Sequence, residues 1–260
     1  MGYEFVKVEK RGHISIVTIN RPEVYNAVHP PLSLELDQVW NEFIGDNEQW
    51  VAVLTGAGDK AFSAGNDLKY SAQPGKYKVQ QPKSGFAGLT NRFDRTKPII
   101  AAVNGFAMGG GMETALSCDI ILASENAKFA LPEVKVGFFA AAGGVQRLSR
   151  QIGKKAAIEM ILTGRSVDAK EALELGIVNE VFSQSELLDK AIQKAEVIAG
   201  NCPSSIRYSL EALNHMDQLE EMSSALEKSY ELIDLLRQTE DHKEGVSAFV
   251  EKRAPQWKNK

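Results

Sequence analysis

The sequence predicts an α/β fold with a helical C-terminal region, and two observations carry that reading. Up to about residue 200, short apolar runs of strand length alternate with stretches of helical spacing, whereas beyond it nearly every segment carries the helical period alone. With 260 residues, 43% of them hydrophobic, the chain can bury one large core, or one core plus a modest appendage, domains running to roughly 100–200 residues. Residues 1–200 are therefore expected to form the α/β core and residues 201–260 the helical region. The boundary is placed near Pro203, where Gly200, Asn201 and Pro203 supply the stop and restart chemistry of adjacent helices.

Taken in order, alternating apolar residues begin almost at once and lead into the strand HISIVTIN, followed by helical spacing in LSLELDQVWNEFI. WVAVLTG reads as a strand, and AFSAGNDL, Ala61 to Leu68, as a small-residue turn into the charged helical start LKYSA. PGKYKVQQPKSG, Pro74 to Gly85, is polar and basic and reads as a surface loop. PIIAAVNG is a strand, GMETALSCD a helix, and IILAS and AKFAL are strands, with Pro132 ending the last. The small run Ala140 to Gly144 leads into a helix carrying Arg147 and Arg150. From SELLDKAIQKAEVIAG onward the pattern is helical, broken at Asn201-Cys202-Pro203 and near Asp217, with SSALEKSYELIDLLRQ the clearest amphipathic segment. Such a stripe must pack on its own core or on another subunit.

Composition excludes several functions. A net charge of −4 argues against non-specific nucleic-acid binding, which needs a clear basic excess or patch. Cys118 and Cys202 stand far apart without a C-x-x-C partner, so neither a disulfide framework nor a zinc site is indicated and no metal is expected. The sequence has no signal-like start and no apolar run of the roughly 18 residues that span a bilayer. A reducing, cytoplasmic setting without membrane partners is the expectation.

Three stretches carry candidate chemistry. AFSAGNDL resembles a nucleophile elbow but has Ala61 where the first glycine of G-x-S-x-G belongs, and no histidine is placed to serve Ser63. Its small residues, Ala64 and Gly65, instead let a ligand approach the main chain, and amides near a helix start favour developing negative charge. NGFAMGGGMETALSCD, Asn104 to Asp119, opens a helix with three glycines, yet matches neither G-x-x-x-x-G-K-(S/T) nor a completed G-x-G-x-x-G. Glu113 on its first turn is read equally well as a helix-dipole carboxylate or as an acid-base group. In FALPEVKVGFFAAAGGVQRLSRQIG, Phe129 to Gly153, Glu133 is a surface or capping carboxylate or a second acid-base group, and Phe138 and Phe139 read as ordinary core. Together the two turns could hold one oxyanion and the two glutamates one water; spacing leaves their convergence open.

These residues resemble the enoyl-CoA hydratase, or crotonase, family. AFSAGNDL is similar to its A-F-x-A-G-x-D-(L/I) turn, PIIAAVNGFAMGGGMETALSCDI to its G-G-G-x-E segment, and FALPEVKVGFFAAAGGVQRLSRQIG to its P-E-x-x-x-G segment. The likeness runs from NRPEVYNAV through LTGRSVDAKEALELGIVNEV to EGVSAFVEKRAP. It implies a crotonase-type spiral of β-β-α units with a helical C-terminal region that makes a homotrimer or a dimer of trimers.

Position by position, the resemblance places an oxyanion hole on the main-chain amides of Asn66 and Gly110 and the two hydratase glutamates on Glu113 and Glu133. Glu113 would activate the water that attacks Cβ, and Glu133 would give the proton to Cα. Contacts to coenzyme A or substrate fall on Glu23, Tyr25, Ala27, Ala64, Asp67, Leu68 and Lys69, with Phe249 and Lys252 reaching a neighbouring subunit's CoA. Glu23 stands where a lysine is frequent. The acyl pocket falls on Phe138, Ala140 and Ala141, the basic loop and GFAGLT covering it. Ala140-Ala141-Ala142 replaces the usual Pro-Gly-Ala, a feature resembling the carnitinyl-CoA dehydratase-like branch. The implied reaction is reversible hydration of a trans-2-enoyl-CoA, with no cofactor because CoA is part of the acyl-CoA thioester substrate. Enoyl-CoA isomerisation, carnitinyl-CoA dehydration and a non-catalytic RNA-binding role are the alternatives.

Overall fold

The computed structural model describes residues 2–74, 81–216 and 222–260. Residues 75–80 of the basic loop and the break near Asp217 lie outside the described residues. The chain opens as an antiparallel pair, β1 (Val6–Arg11) and β2 (Ile14–Ile19), and α1 (Pro30–Gly45) follows. Three turns of a spiral come next. β3 (Val51–Gly56) and β4 (Ala61–Ser63) lead to α2 (Leu68–Ser71), β5 (Ile99–Val103) and β6 (Phe106–Met108) to α3 (Gly110–Leu116). β7 (Ile120–Ser124) and β8 (Lys128–Ala130) lead through a 3-10 turn, Pro132–Val136, to α4 (Gly144–Gln151).

Each turn lays its first strand into one sheet and its second into another. With two later strands, β9 (Ser166–Asp168) and β10 (Glu180–Phe182), the six-stranded sheet runs β1-β2-β3-β5-β7-β10 and the four-stranded sheet β4-β6-β8-β9. After α4 come α5 (Lys154–Thr163), β9 (Ser166–Asp168), α6 (Ala169–Leu175), β10 (Glu180–Phe182) and α7 (Leu187–Ala199). β9 pairs antiparallel with β8, and β10 parallel with β7.

The inner strands β2, β3, β5 and β7 of the larger sheet read as largely apolar runs because both faces are covered, whereas the edge strand β1 alternates and is mostly exposed. On β5, Ile99, Ala101 and Val103 point into the main core with Trp40, Phe62, Met112 and Phe129. Ile100 and Ala102 point the other way, into a second core with Trp50, Leu122 and Ile192 of α7. One helix layer therefore closes the outer face and frees the inner one to support the turns at the strand ends.

The last three helices are α8 (Pro203–Met216), α9 (Met222–Leu236) and α10 (Glu240–Glu251). Pro203 opens α8 as its first residue, where the missing N–H has no helical partner to lose. Helical structure stops earlier than its spacing implied: Lys252 takes a left-handed conformation, φ 55°, and caps α10. The final residues are held by the buried Asp241, whose carboxylate accepts from Ser204 Oγ at 2.8 Å and from the amides of Lys258 and Asn259 at 2.8 and 3.1 Å. No helix among the described residues is long and apolar enough to cross a membrane.

Candidate active site

The first amide turn is built by threading two segments together. The Ala64 N–H donates to Tyr25 O at 2.9 Å, the Val28 N–H to Gly65 O at 2.7 Å, and the Asp67 N–H to Val28 O at 3.0 Å. Val28 thus pairs on both sides of Asn66, so the Asn66 N–H faces away from it. No acceptor pairs with that N–H among the described residues. Ser63 is no nucleophile here: its buried hydroxyl donates to Asn26 O at 2.9 Å and accepts from the Gly65 N–H at 3.1 Å.

The second amide turn ends β6 and opens α3. Gly110 is the first residue of that helix, where a backbone N–H has no intrahelical partner. Gly65, at φ 83°, lies directly against it: a Cβ there would stand 2.9 Å from Gly110 N. The two amides that the sequence left unconnected are thereby brought side by side. Phe86 packs over Gly110 closely enough that a Cβ on the glycine would sit 2.6 Å from its ring.

One turn into α3, Glu113 is only 3% exposed and its Oε1 accepts from the Gly144 N–H at 2.9 Å. Burial pushes its pKa up to about 7, aided by the neighbouring Glu133, against the lowering pull of the Gly144 and Ala142 amides and of Arg147. Glu133, on the Pro132–Val136 turn, lies against the other side of the same glycine run: a Cβ on Gly109 would be 3.0 Å from its Oε1. Its Oε2 is buried without a partner among the described residues, and burial raises its pKa. Neither glutamate is a surface or capping carboxylate, since Glu113 is enclosed and Leu131 occupies the cap before Glu133. Two free amides and two interacting carboxyls on adjoining turns can hold a developing oxyanion and exchange protons beside it.

The family model for enoyl-CoA hydratase/isomerase matches residues 9–260. The chain belongs to the crotonase family. It is 42% identical to the short-chain-enoyl-CoA hydratase of Clostridium acetobutylicum over 251 residues, 95% of each chain. It is 41% identical to the carnitinyl-CoA dehydratase of Salmonella typhi over 263 residues, 99% of each. The crystal structure of an enoyl-CoA hydratase from Mycobacterium tuberculosis superimposes with a TM-score of 0.91 at 36% identity, covering 98% of this chain and 99% of that one.

Around this crotonase site the remaining sequence-derived residues divide. Glu23, Tyr25, Ala64, Leu68 and Lys69 are exposed around the Asn66 turn, and Ala27 is buried beneath them. Asp67 is buried within the turn. Its carboxylate is engaged by Arg21 Nη1 at 3.1 Å and caps α2 through the Tyr70 N–H at 2.9 Å, and its main-chain groups are taken by Val28 O and the Ser71 N–H. Phe138 and Phe139, read as ordinary core, are 62% and 64% exposed, because Gly137 in a left-handed conformation turns the chain outward just before them. Ala140 is buried against Gly144, while Ala141 borders a cavity of about 540 Å³. Phe249 and Lys252 are exposed on and just after α10, which packs against α8.

Two contributors went unread in the sequence. Asn26, fully buried at φ 54°, accepts from the Arg21 N–H at 3.0 Å and donates to Ala57 O and Ala61 O at 3.0 and 2.7 Å, anchoring the segment that holds the Asn66 turn. Asparagine's tolerance of left-handed backbone was the available signal. Phe86, in GFAGLT, was marked only by the glycines that flank it.

Proposed function

We propose that this chain adds water reversibly across the double bond of a trans-2-enoyl-CoA thioester. The observation that carries the reading is the juxtaposition of Glu113 and Glu133 with the converged turns of Asn66 and Gly110. The thioester oxygen takes the two N–H groups, which stabilise the enolate charge that develops as water attacks Cβ. Glu113 removes the proton from that water and Glu133 delivers its own to Cα, so the elements of water are added and the pair retains one proton.

The hydrogen bonds divide the roles. Two largely desolvated carboxyls whose charges interact resist double ionisation, so one of them holds a proton near neutrality. The amides of Gly144 and Ala142 favour the ionised form of Glu113, whereas Glu133 Oε2 has no donor to compensate a charge. On these hydrogen bonds Glu113 is assigned as the base and Glu133 as the acid, the pKa of about 7 at Glu113 leaving it ionised above neutrality. Isomerisation, which needs one proton shuttle, leaves the second carboxyl without a task.

The Ala140-Ala141-Ala142 run and the likeness to a carnitinyl-CoA dehydratase favour a second reading within the same chemistry, elimination of water from a polar 3-hydroxyacyl-CoA. Incubation with crotonyl-CoA tests the proposal: loss of the enone absorbance is expected, and its persistence with crotonyl-CoA and a small panel of other enoyl-CoAs would overturn the assignment.

A further inference from the structure

The amides that bind Glu113 belong to a segment with its own support. Arg147, one turn into α4, donates from Nη2 to Thr90 O at 2.7 Å and from Nη1 to Ala142 O at 3.4 Å. Its guanidinium lies across the α-carbon of Gly143, where a Cβ would collide with Nη1, and stands 5.7 Å from the Phe93 ring centroid. The segment 142–144 is thus strapped to the chain at Thr90 on one side and to the Glu113 carboxylate on the other. No carboxylate is hydrogen-bonded to Arg147 among the described residues, so its charge is not cancelled at contact.

We propose that Arg147 is a positioning residue for Glu113: it fixes the Ala142–Gly144 amides against the carboxylate and supplies the positive charge that keeps that carboxylate ionised. This rests on the reading of Glu113 as the base. The charged surroundings of Glu113 are few. α3 packs on β4, on β6, on α4 and on the 3-10 turn Phe86–Gly88, and of these only α4 brings a titratable side chain toward it, Arg147. Glu133 is the other charged neighbour, and it acts in the opposite sense. Arg95 and Arg150 face Arg147 instead, and Arg95 is paired with Asp119. Planar geometry matters as well, because a guanidinium can span two carbonyls in a fixed fork and an ammonium cannot.

The test is the titration of Glu113 in the intact protein, read by ¹³C NMR of carboxyl-labelled glutamate and assigned with Glu113→Gln, together with the pH profile of kcat/KM for crotonyl-CoA. Arg147→Gln removes the charge, and its Glu113 midpoint should rise by roughly half a pH unit or more. The acid limb of the profile should move the same way, with kcat reduced and KM within about twofold. Arg147→Lys keeps the charge and loses the fork, so its midpoint should stay near wild type while kcat falls severalfold. Lys170→Ala, exposed on α6 away from the site, should change neither. A Glu113 midpoint in Arg147→Gln that coincides with wild type overturns the electrostatic role, and an Arg147→Lys enzyme with undiminished kcat overturns the strap. If Arg147→Gln does not fold, Arg147→Lys decides through kcat. The NMR midpoint needs no turnover, so an inactive wild type would count against the hydratase reading alone.

Discussion

The Gly144 N–H donates to Glu113 Oε1 at 2.9 Å, and both groups lie within the same close contact: a Cβ on Gly144 would stand 3.0 Å from that oxygen. Close approach therefore calls for glycine at 144, where a Cβ would also stand 2.8 Å from Ala140 Cβ. The amide bond opposes burial without overcoming it, leaving the Glu113 pKa at about 7. A base must be ionised to act, so the acid limb of kcat/KM should fall near neutrality and activity should decline as pH drops through it. A profile that stays flat down to the ordinary glutamate range would remove Glu113 from the role of base.

The same raised pKa has a stability consequence of definite sign. Below the usual glutamate range both folded and unfolded chains carry the proton, and burial of the neutral carboxyl is unopposed. As pH rises from there to about 7, the unfolded chain releases its proton first and the contribution is lost. Glutamine cannot ionise, so Glu113→Gln should gain about 1–3 kcal/mol of stability relative to wild type between pH 5 and pH 8. Denaturant midpoints at the two pH values read this difference. The same variant, like Glu133→Gln, should lose roughly 10²- to 10⁴-fold in kcat while keeping thioester affinity. Near-normal hydration by either glutamine variant would refute the two-carboxylate mechanism.

The longer strands and helices were legible because covered parallel strands read as apolar runs and the helices keep their period, whereas the three-residue strands β4, β6, β9 and β10 are too short to show one, and Ala61–Ser63 was read as a turn. Glu113 and Glu133 were legible as candidates, but their meeting depends on the spiral, which brings residues of successive turns together at the ends of β6 and β8. The anchoring of Asp67 was not legible, because Arg21, which holds its carboxylate, lies far away in sequence. The reading of Phe138 and Phe139 as ordinary core rested on apolar character alone, and both are exposed, following Gly137 in its left-handed conformation. Arg147 was visible as a helical residue, yet its partners are backbone carbonyls, which no side-chain pattern announces.

Assembly is expected from the C-terminal helices. On α9, Leu226, Tyr230 and Ile233 recur at helical spacing and are all exposed, Tyr230 by 66%, and on α10 Phe249 is exposed by 86%. A stripe of this kind calls for a covering surface, and a second and third copy of the chain supply one. Light scattering should report a trimer or hexamer at micromolar concentration. A monomer there would also remove any role for Lys252 across an interface.

Gly65 offers a test of the paired amides that leaves both carboxyls intact. Its φ of 83° disfavours any side chain, and a Cβ would meet Met108 O at 2.5 Å and Gly110 N at 2.9 Å. Gly65→Ala must push the Asn66 and Gly110 turns apart, and misplacing an oxyanion donor costs about 10²- to 10³-fold in kcat. Unchanged kcat in a folded Gly65→Ala protein would mean that these amides do not bind the thioester oxygen.

Acyl selectivity is expected to turn on Ala141, which the family resemblance places in the acyl pocket and which borders a cavity of about 540 Å³. Its lining includes Thr90, Gln146, Arg147 and Arg150, so a long saturated chain laid there would desolvate arginines without giving them partners. A polar or branched acyl group could return those hydrogen bonds. Replacing the wall by one methyl group changes specificity by only about 10- to 200-fold, so crotonyl-CoA should still be turned over, weakly. Decenoyl-CoA should be poor, and Ala141→Gly should improve the short straight chain by relieving the wall. Values of kcat/KM for crotonyl-CoA, decenoyl-CoA and a polar four-carbon enoyl-CoA decide the matter: a clear preference for decenoyl-CoA would place the acyl chain elsewhere than against Ala141.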